Sequence, residues 1–129
     1  MINSNVFDYV NVLDSAADAA WMRNDLISNN IANVDTPGYK REDLRFETEL
    51  KAAIANSKED NTDAKVHNLD LKQLKPETYT DYSTLSYRYD GNNVDIETEN
   101  VMLAKNQLKY NALITGVEHE FSNLKSVMK

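Results

Sequence analysis

Along the first 34 positions, apolar residues recur at intervals of alternately four and three residues, with polar residues between them. This spacing is typical of an amphipathic helix whose apolar seam repeats roughly every 3.5 residues. It predicts a helix over residues 5–33, with Asn24 as the polar member of the seam. The predicted seam consists of Val6, Val10, Leu13, Ala17, Ala20, Ile27 and Ile31.

Residues 95–129 repeat the pattern and predict a second helix over residues 95–128. Acidic residues fall in its first turn and lysines in its last, the arrangement that suits the helix dipole. Asn100 and Gln107 are the polar positions on this seam. The predicted seam otherwise consists of Leu103, Tyr110, Ile114, Val117, Phe121 and Leu124.

A second apolar stripe flanks the seam of the C-terminal helix and widens its apolar arc. It contains Val101, Ala104, Leu108 and Ala112. A helical hairpin within one chain is the simpler interpretation, but it would leave such an arc uncovered. We therefore predict a mainly α-helical fold in which two long antiparallel terminal helices form a coiled-coil pair. We expect further chains to cover the remaining apolar surface.

The segment between the helices does not continue the regular apolar repeat. Thr36–Gly38 predicts a turn that ends the first helix, and residues 43–55 predict one small helix. Residues 56–78 are polar and without pattern, which predicts a loop that is mobile in the isolated chain. Residues 79–90 predict a short strand or hairpin, which must pair locally or with another subunit. The apolar members of this strand are Leu85, Tyr87 and Tyr89.

These elements form three parts of a single assembly domain. They are an N-terminal helix over residues 1–34, a middle region over residues 35–94 and a C-terminal helix over residues 95–129. The N-terminus lacks a basic segment followed by an apolar one, so we expect no cleavable secretory signal.

The composition of the chain argues against several classes of function. The 129-residue chain has a formal net charge of −7 and a pI of about 4.7, without a basic stripe, so nucleic acid is not an expected partner. It contains no cysteine and 3 glycines. No phosphate-binding or nucleophile motif is present. We therefore expect neither an enzyme nor a cofactor or small-molecule substrate.

Two groups of polar residues superficially suggest metal sites. His119 lies between Glu118 and Glu120, but adjacent residues on a helix do not converge on one face. Residues 90–101 are rich in acids, but Asp95 stands where a calcium loop requires glycine. We expect no metal ligands at either place.

Residues 30–40, NIANVDTPGYK, resemble the N-terminal signature of bacterial flagellar rod, hook and hook-associated proteins. Residues 89–95, YDGNNVD, followed by Glu99 and residues 103–110, LAKNQLKY, resemble the matching C-terminal region. Within this family the chain is most similar to proximal-rod subunits of the B type, with the C type as the alternative. The motif residues are Asn30, Ala32, Asn33, Asp35, Thr36, Pro37, Gly38 and Tyr39 at the first end, and Asp90, Gly91, Asn92, Val94 and Asp95 at the second.

The resemblance implies a structural subunit of the proximal rod that leaves the cytoplasm through the flagellar type III apparatus without a cleaved signal peptide. Such subunits polymerise through their terminal helices into the drive-shaft tube, on the periplasmic side of the inner membrane. The implied partners are copies of this chain, other rod proteins, the adaptor between ring and rod, the membrane ring and the export gate. A soluble coiled-coil adaptor or helical-hairpin regulator is the alternative that the heptads alone support.

The resemblance also suggests a role for Phe46 and Leu50, since early export substrates share a Phe-x-x-x-aliphatic segment that the export gate reads. The plainer interpretation is that these two residues, four apart on a helix, pack together. The two interpretations are compatible. Replacing Phe46 with alanine is expected to cut export while leaving the helices largely intact.

For Asn30, Asn33 and residues 35–39 we expect a structural role at the bend where the chain leaves the inner layer of the rod. Pro37 stops the helix and Gly38 permits a positive φ, while asparagine and aspartate side chains can bond nearby backbone groups.

Overall fold

Two long helices dominate the computed structural model, which describes residues 4–83 and 88–128 of the chain. A 3₁₀ turn over Ser4–Phe7 leads into helix α1, Asp8–Ala32, and helix α4 spans Ile96–Val127. Asp95 caps α4, because its carboxylate accepts hydrogen bonds from the backbone N–H groups of the first turn. The prediction of two long terminal helices is confirmed.

Helices α1 and α4 lie antiparallel along each other. The Asn30 side chain bonds Glu99, the Asn106 side chain bonds the backbone of Ala20, and Leu13 lies beside Gly116. Positions that rise along one helix therefore fall along the other. The coiled-coil character of this pairing stays a prediction.

The predicted seam of α1 faces inward: Ala17, Ala20 and Ile27 are buried and its other members are half-buried. On α4 the inward line runs through Glu99 and Asn106, which are both buried and polar. The predicted seam of α4 therefore divides between inward and outward positions. Leu103, Tyr110, Val117 and Leu124 are half-buried, whereas Ile114 and Phe121 are exposed. A role of either seam in assembly stays a prediction.

Two short strands form an antiparallel ladder in the middle region. Strand β1, Glu42–Arg45, pairs with strand β2, Glu77–Thr80, and Glu42 lies opposite Thr80. The prediction of a helix from residue 43 is therefore wrong over its first residues, and helix α2 spans Glu47–Ala55. Leu44 is buried while the strand residues on either side of it are more exposed, so pairing and burial outweigh any local helical preference.

Residues 56–78 contain a short helix that the sequence did not predict, and the mobility of this segment in the isolated chain stays a prediction. Helix α3, Thr62–His67, is capped by Asn61, whose side-chain oxygen accepts a hydrogen bond from the N–H of Ala64 at 2.7 Å. Val66 is buried, and Nδ1 of His67 lies 2.8 Å from Oδ2 of Asp8. Polar composition concealed this helix because one apolar residue and a few side-chain bonds suffice to fix it on the start of α1.

The strand predicted over residues 79–90 begins earlier and is shorter, since β2 ends at Thr80. It pairs within the chain, one of the two expected arrangements. Tyr89 lies in an exposed turn rather than in a strand, which corrects that part of the prediction. Leu85 and Tyr87 lie outside the described residues.

A small apolar core lies between α1 and the middle region. Its buried members are Ala19, Leu44 and Phe46, with Leu26 and Leu50 among the side chains packed around them. Helix α1 thus has one face against α4 and a second face against the middle region.

Over residues 4–83 and 88–128, no helix combines the length and the apolar character needed to cross a membrane.

Candidate functional site

The two sequence motifs, residues 30–40 and 89–95, meet in space. Five buried polar residues lie where they touch, and we refer to this group as the polar junction. It sits where α1 ends, β1 begins and α4 starts, so three elements depend on it. Its members are Asn30, Arg41, Asn92, Asn93 and Glu99.

Asn92 closes the turn that follows α1. Its side-chain nitrogen Nδ2 donates to three backbone oxygens, those of Asn33 at 2.8 Å, Val34 at 3.0 Å and Thr36 at 2.9 Å. Its Oδ1 accepts from the N–H of Val94 at 2.7 Å. One amide therefore binds three carbonyls of the turn that follows α1.

The side-chain amide of Asn30 forms the two hydrogen bonds with the backbone of Glu42 that a neighbouring strand would form. Its Nδ2 donates to the Glu42 oxygen at 2.8 Å, and its Oδ1 accepts from the Glu42 N–H at 2.9 Å. The hydroxyl of Tyr39 donates to the same Oδ1 at 3.0 Å. The last turn of α1 and the first residue of β1 are thereby held together.

Arg41 carries the charge of the polar junction. Its Nε donates to Oε1 of Glu99 at 2.6 Å and its Nη1 donates to Oδ2 of Asp81 at 2.5 Å. Burial acts to lower the pKa of Arg41, but the bonds to Glu99 and Asp81 outweigh it and raise the pKa above its ordinary value. The pKa of Asp81 is lowered, first by its bond from Ser83 and further by Arg41. The junction therefore contains a compensated rather than an isolated buried charge.

Asn93 links the same arginine to the segment after β2. Its Oδ1 accepts from the backbone N–H of Arg41 at 2.7 Å, and its Nδ2 donates to the oxygen of Asp81 at 2.7 Å. The Asp81 N–H in turn donates to the Arg41 oxygen at 2.9 Å. The chain around residue 81 is thus tied to both motifs.

Two glycines with positive φ allow the motifs to approach. Gly38 has φ +73° and Gly91 has φ +76°, values that side-chain-bearing residues rarely adopt. The N–H of Gly38 donates to the oxygen of Asp90 at 2.6 Å, and the Lys40 ammonium donates to the oxygen of Gly91. Of the other predicted motif residues, Ala32 is exposed at the end of α1, and Asp35, Thr36 and Pro37 are exposed on the turn that follows.

A second charged group fixes α2 against both long helices. Arg23 of α1 bonds Glu47 through two nitrogens, at 2.5 and 2.6 Å, and Lys109 of α4 donates to the same carboxylate. The bonds from Arg23 lower the pKa of Glu47 to about 2, with Lys109 adding to the effect against the opposing effect of burial. Because α2 begins at Glu47, this carboxylate also lies at the favourable end of the helix dipole.

The predicted export segment lies inside the fold. Phe46 is 1% exposed and belongs to the apolar core, and Leu50 packs against that core from α2. The expectation that alanine at Phe46 leaves the folded helices largely intact is therefore wrong, because such a change empties a large buried volume.

Asn106 is a further buried polar residue between the helices. Its Nδ2 donates to the oxygen of Ala20 at 2.7 Å, while its Oδ1 has no hydrogen-bond partner among the described residues. Asn24, Asn100 and Gln107, the polar seam positions from the sequence, are less buried than Asn106.

Sequence reasoning found the two motifs but missed their charged centre. Arg41, Asn93 and Glu99 were not among the predicted site residues, although Asn93 and Glu99 fall within or directly after the quoted motif. The helical repeat could have indicated Glu99. It lies seven residues before Asn106, which is two turns along the same face of α4. A polar residue on that inward face requires a partner, which the basic residue after the first motif provides.

The site offers no arrangement for metal chemistry within the described ranges, where no three histidine, cysteine, aspartate or glutamate residues converge on a common point. The polar groups of the junction are instead engaged with one another and with the backbone. This arrangement sets the angle and the distance at which the two long helices leave the folded middle region.

Comparisons with known proteins agree on one family. A family model described as flagella basal body rod protein matches residues 11–40. The chain is 35% identical to the flagellar basal body rod protein FlgB of Borrelia hermsii, with 97% of this chain and 99% of that protein covered. It is 36% identical to the protein of that name from Borreliella burgdorferi, with 87% and 89% covered, and 34% identical to that from Bacillus subtilis, with 90% and 89% covered.

Proposed function

We propose, because the chain belongs to the flagellar basal body rod protein family, that it polymerises through its terminal helices into the proximal part of the drive-shaft rod. Its relatives are structural rod proteins rather than enzymes. The single observation that supports polymerisation most is the apolar surface left on both long helices. Trp21 is 58% exposed on α1 and Leu108 is 71% exposed on α4. Such patches mark interaction surfaces.

The division into two terminal helices and a middle region gives each part a task. In this proposal the helices over residues 1–34 and 95–129 form the inner layer of the tube, and residues 35–94 stand outside it. The polar junction holds the angle between these parts. Its rigidity favours a subunit that enters the rod with its bend already set, which reduces the ordering cost of assembly.

Export through the flagellar type III apparatus, without a cleaved signal peptide, is the second part of the proposal. The burial of Phe46 would limit recognition by the export gate to the unfolded chain, because the folded core hides this side chain from any receptor. The export gate would therefore read Phe46 and Leu50 before the chain folds. Folding after export then hides the segment and makes recognition a one-way step.

The partners follow from position in the rod. Copies of this chain and other rod proteins would cover the exposed helix faces, and the adaptor between ring and rod, the membrane ring and the export gate would lie at the base. The acidic net charge of −7 makes a nucleic acid an unsuitable partner.

Deleting the chromosomal copy and restoring it from a plasmid tests the proposal. We expect the deletion strain to lack rods and swimming motility, and the restored strain to regain both. The protein should appear in purified basal bodies of the restored strain. Basal bodies that retain a complete rod in the deletion strain would contradict the proposed function.

A further inference from the structure

Asp43 of β1 joins the polar junction to the charged group around Glu47. Its two carboxylate oxygens approach different arginines: Oδ2 lies 3.4 Å from Nη2 of Arg41, and Oδ1 lies 3.5 Å from Nε of Arg23. Arg41 belongs to the polar junction, whereas Arg23 bonds the Glu47 carboxylate at which α2 begins. One aspartate therefore connects two groups that hold different parts of the fold.

The connected side chains form a line of alternating charges, which we call the ion-pair network. It starts and ends on α4, at positions ten residues or about 15 Å apart, and passes through β1, α1 and α2 on the way. Each inner member lies between two charges of opposite sign. The order of the ion-pair network is Glu99, Arg41, Asp43, Arg23, Glu47 and Lys109.

Burial decreases along the ion-pair network from Glu99 to Lys109. The side chains of its first four members are at most 15% exposed, whereas those of Glu47 and Lys109 are 40% and 41% exposed. Buried charges act on one another strongly, because little water and salt lie between them. The outer end of the network is accessible to solvent, and its inner end is not.

We propose that the ion-pair network couples the docking of α2 to the closure of the polar junction, so that loosening either one loosens the other. Removing the charge of Glu47 leaves Arg23 with Asp43 as its remaining carboxylate partner within the described residues. Asp43 then shifts towards Arg23 and away from Arg41, which weakens the junction. Because coupling between two sites is reciprocal, opening the junction weakens the docking of α2 to the same extent.

The consequence for the life of the subunit rests on the proposed function. Helix α2 begins directly after Phe46, so a chain that exposes Phe46 to the export gate also releases Glu47. Through the ion-pair network this release loosens the bend, even where the two long helices stay folded. A chain that the export gate can read is therefore unable to present a rigid bend for assembly.

The apolar core offers a second physical route between the same two places. Leu44 and Phe46 share this core, and a movement of the core could shift β1 and α2 together. Asp43→Asn separates the two routes, because it keeps the size of the side chain and removes the charge that holds both arginines. Coupling through the ion-pair network disappears in this background, whereas coupling through the core persists.

Hydrogen exchange of single amides, followed by NMR on the full chain, tests the coupling. The N–H groups of Gly38 and Val94 donate hydrogen bonds to residues of the second motif, so their exchange reports the closure of the junction. We expect Glu47→Gln to speed the exchange of both amides about fivefold, as for residues that share one ion-pair network. Added to an Asp43→Asn chain, the same change should leave the exchange of both amides as it is in Asp43→Asn alone.

Two controls separate this effect from a general loss of stability. Glu49→Gln removes a charge from an exposed position on α2 and should leave the amides of Gly38 and Val94 unaffected. The amides of residues 113–117 lie beside Leu13 at the far end of the helix pair and report opening of the whole fold. The proposal is overturned if Glu47→Gln speeds exchange equally at both ends, if it leaves Gly38 and Val94 unchanged, or if its effect persists in the Asp43→Asn chain.

Glu99→Gln provides the reverse test. It should speed exchange of the Leu50 amide about fivefold, because coupling is reciprocal and the bond from this N–H to the Phe46 oxygen closes the first turn of α2. Glu97→Gln, at an exposed position of the same turn of α4, should not. An unchanged Leu50 amide in Glu99→Gln would also overturn the proposal. The Glu47→Gln result decides by itself if Glu99→Gln does not fold, since the Glu47 side chain is partly exposed.

The coupling and the rod role fail separately. A deletion strain that keeps its rod overturns the rod role and leaves the exchange rates as they are. A strain that needs the protein for its rod, combined with amides that do not respond across the ion-pair network, overturns the coupling alone.

Discussion

The Glu99 carboxylate accepts a hydrogen bond from Nε of Arg41 at 2.6 Å, and the glutamate is 1% exposed. The bond joins the segment that follows α1 to the first turn of α4. Because both groups are buried, the pair contributes little net stability compared with apolar side chains of the same shape, but removing one partner is costly. It therefore fixes the geometry of the junction more than it adds to the free energy of unfolding.

Replacing Glu99 with alanine should lower the free energy of unfolding by about 3 kcal/mol, because it leaves the Arg41 charge partly uncompensated in a buried site. Urea denaturation followed by circular dichroism measures the effect. Glu97→Ala is the matched control, since Glu97 is exposed in the same turn and should cost less than about 1 kcal/mol. Equal losses for the two variants would mean that the Arg41–Glu99 pair does not hold the junction.

Asn92→Ala should lower the free energy of unfolding by about 2 kcal/mol, because three backbone carbonyls of the turn after α1 each lose one donor and a buried side chain is removed. Asn100→Ala removes the same group from an exposed position on α4 and should change stability by less than about 0.5 kcal/mol. Hydrogen exchange of the amides over residues 33–38 gives the local readout. Unchanged exchange there in Asn92→Ala would contradict the role assigned to this side chain.

Gly38→Val should cost about 1–2 kcal/mol through its positive φ alone, because open space surrounds the position of an added Cβ. Gly116→Ala should instead raise the free energy of unfolding by about 0.5–1 kcal/mol, since Gly116 lies within α4 and the new methyl group would meet Leu13 at an ordinary distance of 3.5 Å.

In cells, Gly38→Val should reduce the amount of assembled rod more than the amount of exported protein, which immunoblots of basal bodies and periplasmic fractions can compare. Normal rods with this variant would show that the bend at residues 35–39 is dispensable.

Acid should weaken the attachment of α2 in a way that depends on Glu47. The pKa of this carboxylate is about 2 in the folded chain against an ordinary 4.5, because Arg23 bonds it first and Lys109 second. Its stabilising contribution is therefore complete above its ordinary pKa and is lost as the pH falls towards about 2. Partial exposure of the side chain reduces the size of the effect.

Glu47→Gln should therefore melt at a lower temperature than the unchanged protein at neutral pH, with a smaller further decline between about pH 5 and pH 2. Asp81 also has a lowered pKa and keeps part of the acid sensitivity in both proteins. Glu49→Gln on the same helix serves as the control, since the Glu49 side chain is exposed. Parallel melting curves for all three proteins across this pH range would contradict the account.

Phe46→Ala should abolish most export and should also lower the free energy of unfolding by about 3–4 kcal/mol, because Phe46 fills the apolar core. Leu44→Ala separates the two effects. Leu44 is buried in the same core but lies outside the Phe46–Leu50 segment, so its variant loses stability while export continues. Secretion assays on both variants decide between them. Equal export would remove Phe46 from any role in recognition by the export gate.

The long helices could be predicted from sequence because their information is local and repeated. Positions such as Ala17, Ala20 and Ile27 recur in phase, and burial follows the phase. The same reasoning failed at β1, where residues 42–45 carry no strong strand pattern. Their partner strand lies more than 30 positions away, so pairing information is not available locally.

The candidate site could be predicted in outline for a different reason. Gly38 and Gly91 mark turns through their backbone freedom, and Asp95 marks the start of a helix, so both ends of the site are visible as local signals. The charged pair at the centre of the site has no such local signal in the sequence. Arg41 and Glu99 are an exposed-looking pair of charges in the sequence, and their burial depends on the two turns bringing α4 beside β1.

A density map of the purified basal body, at a resolution that separates side chains, tests the central claim most directly. We expect copies of this chain in the proximal rod, with α1 and α4 antiparallel in the inner layer and the Arg41–Glu99 bond intact at the bend. A proximal rod built without any copy of this chain would contradict the claim.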